Sequence, residues 1–335
     1  MAKTFKNISI IGDGGWGTTL AVHLARNHHA VALWGPFPEY ARQVRKTRYN
    51  TKFLPGIRLA QRIHITDNLN DAVARADLIV FAIPSKFAAA VLKKIKQTKL
   101  PLNGKVVLSV TKGIDTNKLL RMSEIIRREL GHIPVAVLSG PTIAWEVAKG
   151  IPSMAVVAAR QAALARKIQA VFNSEKFRIY TNTDVIGVEL GGSIKNIIAL
   201  ACGVCDGLGF GSNTKAAILT RGLAEMARLG TALGAKQKTF SGLTGLGDLV
   251  TTCISPKSRN RTVGEHLGRG KSIKKILSQM SMVAEGVETA KAAYKLSRKY
   301  DISMPITTEI YNIIYRNKKP SQAVADLMNR KMKSE

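Results

Sequence analysis

Directly after a short apolar run, Ile8-Ser9-Ile10-Ile11, the chain reads Gly12-Asp13-Gly14-Gly15-Trp16-Gly17 and then continues with helical spacing to about Asn27. Glycines at G-x-G-x-x-G spacing between a strand and a helix restrict the fold sharply. Gly12 permits a tight turn, Gly14 lets a pyrophosphate approach the backbone, and Gly17 lets helix pack on strand. The free N–H groups and the positive end of the following helix suit phosphate oxygens. In this context the turn predicts dinucleotide binding, with a purely structural glycine turn as the alternative. Asp13 fits poorly, because a carboxylate beside a pyrophosphate repels it unless the side chain points away.

The rest of the first half repeats the strand–helix alternation. Apolar, β-rich runs fall at Ala30–Trp34 and at residues 77–83 (stopped by Pro84), 105–110, 134–138, 154–157 and 177–180. Such alternation predicts a mostly parallel, doubly wound sheet. From Asp184 onward the chain is rich in Ala, Leu, Ile and Gly, with helical offsets over residues 185–205, 215–233, 273–279, 287–300 and 307–316. The expectation is an α/β, Rossmann-type N-terminal domain over residues 1–184 and an all-α C-terminal domain over 185–335.

Composition narrows the function classes. Hydrophobic residues make up 45% and charged residues 22% of 335 residues, a globular profile with ample core. No apolar run approaches the ~18 residues of a membrane helix. The start, Met1-Ala2-Lys3-Thr4-Phe5-Lys6, has no secretory h-region, so a cytoplasmic location is expected. Cys202, Cys205 and Cys253 are odd in number, and the Cys202-Gly-Val-Cys205 pair has no second pair to complete a zinc site. They read as buried structural thiols, with no metal. The formal charge of +29 is spread along the chain. Clusters such as Lys93-Lys94-Ile95-Lys96 and Arg330-Lys331-Met332-Lys333 carry no interleaved aromatics. That favours a solvated basic surface attracting small anionic substrates over specific nucleic-acid binding.

At the end of the second strand, Leu33-Trp34-Gly35-Pro36 offers no Asp or Glu for a ribose 2′-hydroxyl, and only Arg42 and Arg45 follow as cations. NAD and NADP both remain open. Polar residues follow two later strands, in Val110-Thr111-Lys112-Gly113 and Leu138-Ser139-Gly140-Pro141-Thr142, where open α/β sheets border their ligands. In the second half, Lys195-Asn196 interrupts an apolar helix and must face something polar, since an unpaired buried ammonium is costly. Gly245-Leu-Gly247-Asp248 and Ser258-Arg259-Asn260-Arg261 come later, and Arg259 is suited to grip a phosphate with two parallel hydrogen bonds.

Taken in order, Trp16-Gly17-Thr18, Thr111-Lys112-Gly113, Ser139-Gly140-Pro141-Thr142, Gly191 through Asn196, Gly245-Leu-Gly247-Asp248, Ser258-Arg259-Asn260-Arg261 and Val283-Ala284-Glu285-Gly286 resemble the bacterial type of NAD(P)-dependent glycerol-3-phosphate dehydrogenase over nearly the whole chain. Asp13 departs from that family, which usually has a small residue there. The resemblance implies reversible hydride transfer between NAD(P)H and dihydroxyacetone phosphate, giving sn-glycerol 3-phosphate for phospholipid synthesis, in a homodimer. It implies Lys195 as the proton-transferring residue. Lys112, Gly140, Thr142, Asp248, Ser258, Arg259 and Asn260 would line the substrate. Gly12, Gly14, Gly15, Trp16, Gly17, Lys112, Ala144, Arg259, Val283 and Glu285 would line the cofactor. A free lysine, with a pKa near ~10.4, is a poor base but a good donor to a developing alkoxide. Two other readings stand beside this one: a β-hydroxyacid or 6-phosphogluconate-type dehydrogenase, and a non-enzymatic nicotinamide-binding regulator.

Overall fold

The structure, a computed structural model, describes residues 5–332; the first four residues of the chain and Lys333 of the C-terminal basic cluster lie outside the described residues. The chain divides into two units, one of Met1–Lys112 with Leu120–Glu189, the other of Gly113–Leu119 with Leu190–Glu335.

Among the described residues the first unit holds eight strands: β1 Asn7–Ile11, β2 Ala30–Trp34, β3 Ile63–Thr66, β4 Leu78–Phe81, β5 Val106–Ser109, β6 Val135–Ser139, β7 Ser153–Ala159 and β8 Phe177–Asn182. They form one sheet in the order β3-β2-β1-β4-β5-β6-β7-β8, parallel except where β7 runs against β6. Its helices are α1 Gly15–Arg26, α2 Pro38–Thr47, α3 Leu69–Arg75, α4 Ser85–Gln97, α5 Met122–Leu130, α6 Ala144–Lys149 and α7 Ala162–Phe172. Successive strand residues point to opposite faces, and both faces are apolar. Ile8, Ile10, Leu78, Val80 and Leu108 pack with Leu20, Leu24 and Ile168 of α1 and α7. Ile11, Ile79, Phe81 and Val107 pack with Val73, Leu92 and Ile125 of α3, α4 and α5. The expected doubly wound sheet is therefore present. The strand β3, Ile-His-Ile-Thr, was not anticipated. It is only four residues long and carries a histidine between its apolar positions, so it gives little periodic signal.

The long helix α8, Val185–Gly207, spans the boundary in sequence between the two units. The second unit continues with α9 Ser212–Ala232, α10 Asp248–Ile254, α11 Arg259–Gly268, α12 Ile273–Ser278, α13 Glu285–Lys299, α14 Pro305–Arg316 and α15 Pro320–Met328. The all-α expectation holds, and α10, α11 and α15 add to the helices read from periodicity. These three helices run for at most about three turns and offer few repeats to register. A π-helical turn, Leu243–Gly247, leads into α10. Buried Glu225 of α9 accepts N–H groups of Ile306 (2.6 Å) and Thr307 (3.1 Å) and so fixes the start of α14. One helix among the described residues, Val185–Gly207, is long and apolar enough to cross a membrane, contrary to expectation; 94% of its apolar window is buried inside the protein, as in a core helix. The helix carries Glu189, Lys195 and Asp206, so it is no uninterrupted apolar run in sequence.

Candidate active site

In the first unit the predicted site residues gather at the carboxyl ends of β1, β5 and β6. Strand order reverses at β1, between β2 and β4, which is where open sheets bind ligands. Gly12 follows β1 with φ +121°, and a Cβ there would lie 2.7 Å from the Ala82 carbonyl oxygen. A Cβ on Gly17 would lie 1.9 Å from the Gly12 carbonyl oxygen, so only glycine lets α1 start this close to β1. Gly14, by contrast, has nothing within 4 Å of a Cβ and faces open space. It is the N-cap of α1, with no side-chain cap and no acidic residue in the first turn. Backbone amides facing open space at an uncompensated helix N-terminus fit a pyrophosphate. The Trp16 indole nitrogen is buried with no hydrogen-bond partner. Thr19 donates to the Ala144 carbonyl (2.9 Å), drawing the start of α6 to α1 and placing Ala144 beside Gly15.

Three other predicted residues of this unit meet one another. The Lys112 ammonium donates to the Gly140 carbonyl (2.8 Å) and to the Thr142 hydroxyl (3.3 Å). Gly140 has φ +142°, and a Cβ would come within 3.0 Å of the Ala155 Cα, so the turn after β6 depends on glycine.

In the second unit α8 carries the central groups. Lys195 and Asp248 form an ion pair at 2.7 Å, with side-chain exposures of 6% and 2%. The Lys195 ammonium also donates to the Thr252 hydroxyl, which itself donates to the Asp248 carbonyl at 2.6 Å. Thr252 was missed in sequence; it lies four residues after Asp248 on the same face of α10, a helix that periodicity did not reveal. Gly191 makes this possible: a Cβ there would lie 2.5 Å from the Thr244 carbonyl oxygen, so the π turn before α10 rests directly on α8.

The next residue, Asn196, accepts from the Asn260 amide (2.9 Å), whose carbonyl oxygen accepts the Gly286 N–H at 2.9 Å. Asn260 thus ties α8, α11 and α13 together. Ser258 caps α11 by accepting the Arg261 N–H. The Arg259 guanidinium donates to the Val283 carbonyl (2.7 Å) and keeps solvent contact. The protein around it lowers its pKa from the ordinary arginine value, and the Glu285 carboxylate opposes that shift. Ser258, Arg259, Asn260, Val283 and Glu285 therefore form one cluster.

The three cysteines are free and buried, and burial pushes the Cys205 thiol up to about 12. Among the described residues no three His, Cys, Asp or Glu side chains converge to hold a metal ion.

Comparison with known proteins gives a consistent picture. The family model of the NAD-dependent glycerol-3-phosphate dehydrogenase N-terminus matches residues 7–165, and that of the C-terminus matches residues 184–325. The glycerol-3-phosphate dehydrogenase [NAD(P)+] of Chlorobium limicola is 47% identical over 332 residues, covering 98% of this chain and 99% of its own. That of Citrifermentans bemidjiense is 45% identical over 335 residues, with 98% and 99% covered. The crystal structure of glycerol-3-phosphate dehydrogenase from Coxiella burnetii superposes with a TM-score of 0.93 at 35% identity, covering 97% of this chain and 99% of that one.

Proposed function

The chain belongs to the NAD-dependent glycerol-3-phosphate dehydrogenase family, and we propose that Lys195 handles the proton in its reaction, held for that task by Asp248 and Thr252. The protein is an NAD(P)-dependent oxidoreductase that reduces dihydroxyacetone phosphate to sn-glycerol 3-phosphate, reversibly. The nicotinamide, when bound, supplies or accepts the hydride at C2.

The buried Lys195–Asp248–Thr252 group is the observation that carries the assignment. An ammonium fixed by a carboxylate and a hydroxyl in a nearly dry setting is a preorganised donor. In the reductive direction it donates to the oxygen that develops charge at C2, and in the oxidative direction it receives the hydroxyl proton. The Arg259 guanidinium and the first amides of α11 are suited to the substrate phosphate. Asn260 acts here by fixing α11, since its carboxamide is already engaged with Asn196 and Gly286. The glycine turn, Trp16 and Ala144 would hold the dinucleotide, and Lys112, Gly140 and Thr142 would hold the substrate end. From the family resemblance we also infer a cytoplasmic homodimer that supplies glycerol phosphate for phospholipid synthesis.

The test is loss of NADH or NADPH absorbance on adding dihydroxyacetone phosphate, with Lys195→Ala beside the wild type. Turnover is expected to fall by ~10²-fold or more while nucleotide binding is retained. Wild-type turnover in that variant would remove Lys195 from the proton-transfer role.

A further inference from the structure

Asp13 is the residue of the glycine turn that the dinucleotide reading leaves unexplained, and its side chain has a definite place. A Cβ built on Gly35 would lie 2.2 Å from Asp13 Oδ2 and 2.5 Å from its Cγ. The carboxylate thus occupies the volume that a side chain at position 35 would fill, immediately after β2. The Gly12 N–H donates to the Trp34 carbonyl (2.9 Å) and the Gly35 N–H to the Thr66 carbonyl (3.1 Å), so turn and strand end are held together. The Asp13 carbonyl accepts from the Thr18 hydroxyl (2.9 Å) and from the fully buried Asn50 amide (2.7 Å), which fixes the backbone that carries the acid. The side chain is directed away from the open face at Gly14, which answers the electrostatic objection to a carboxylate in this turn.

The position after β2 is where Rossmann-type sites carry the acid that accepts the adenosine ribose 2′-hydroxyl and repels a 2′-phosphate. Here that position is glycine, and the acid arrives from the neighbouring turn. Arg45, one cation that could have served a 2′-phosphate, is tied to the Ile65 carbonyl (3.0 Å) and to Asp67 (3.4 Å). Building on the dinucleotide reading of this turn, we propose that Asp13 is a specificity-determining residue: from the space vacated at Gly35 its carboxylate accepts the ribose 2′-hydroxyl and discriminates against NADP(H) in favour of NAD(H).

Burial raises the Asp13 pKa to about 6, against its own backbone N–H and the Lys52 ammonium. The discrimination is therefore full at pH 8 and declines as pH falls through about 6. The 2′-phosphate titrates near the same pH, about 6. A variant without the carboxylate, Asp13→Asn, separates the two.

The test is equilibrium titration of NADH and NADPH, followed by nucleotide fluorescence, into the wild type and Asp13→Asn without substrate. At pH 8 the wild type is expected to bind NADH about tenfold or more tighter than NADPH, and Asp13→Asn to bring the two within about twofold. Between pH 8 and pH 5.5 the wild-type ratio is expected to fall further than that of Asp13→Asn. An unchanged ratio in Asp13→Asn, or equal binding by the wild type, overturns the proposal. Folded wild type that binds neither nucleotide overturns the dinucleotide reading instead. Asp13→Ala with Gly35→Asp moves the acid onto the strand end and should restore the NADH preference that Asp13→Ala alone loses. Failure to restore it overturns the equivalence of the two positions.

Discussion

Lys195 and Asp248 are costly residues to bury, and each is tolerable only because of the other. Removing one partner of a buried pair leaves a charge that neither water nor protein compensates, typically at a cost of about 3–5 kcal/mol. Replacing both with apolar groups is far less damaging. Asp248→Ala is therefore expected to lower stability in urea by that amount, and Lys195→Met with Asp248→Leu to recover most of it, though without activity. An Asp248→Ala protein with wild-type stability would mean that Lys195 finds another acceptor. At this scale the sequence was informative about Lys195, since an ammonium in an apolar helix demanded a partner. It named Asp248 only through the family resemblance, because the two residues are 53 positions apart. Thr252 was silent: threonine in a helix carries no signal of its own.

At the scale of elements, the decisive contact of the second unit is that of α8 with α11. A Cβ on Gly203 would lie 2.0 Å from the Arg261 carbonyl oxygen, and one on Gly264 would lie 2.0 Å from that of Leu200. Gly207 and Gly268 repeat the arrangement one turn on, each at 2.3 Å from a facing carbonyl oxygen. Glycines four apart on both helices let the backbones touch, which brings Asn260 to Asn196 and sets Arg259 at the head of α11. Gly264→Ala must push the helices apart or strain them, at a cost of roughly 1–3 kcal/mol. The expected result is a lower Tm and a raised KM for dihydroxyacetone phosphate. A Tm and KM matching the wild type would show that α11 is seated by other contacts. In sequence only Gly203 falls in a helical stretch read from periodicity, while Gly264 and Gly268 fall in none, and nothing there says that the two pairs face each other.

On the whole molecule, the net charge of +29 is carried by 51 basic and 22 acidic side chains. The surface field attracts a doubly charged phosphorylated substrate, and salt screens that attraction over about 8–10 Å at physiological strength. The kcat/KM for dihydroxyacetone phosphate is expected to fall severalfold between about 10 mM and 300 mM salt, with kcat little changed. A kcat/KM independent of salt would assign the charge no part in substrate capture.

What the sequence determined by itself were the properties set by local order. Alternating apolar runs specified a doubly wound sheet, helical periodicity specified an all-α second half, and glycines after the first strand specified a turn that accepts phosphates. These follow from backbone sterics and from the periods of strand and helix, which act over a few residues. The tertiary structure alone decided which side chains meet. It put Asp13 into the space at Gly35, Thr252 beneath Lys195, and Asn260 between Asn196 and Gly286. Those contacts depend on how closely packed backbones approach one another, and that distance is fixed by the folded packing of whole elements rather than by any run of residues.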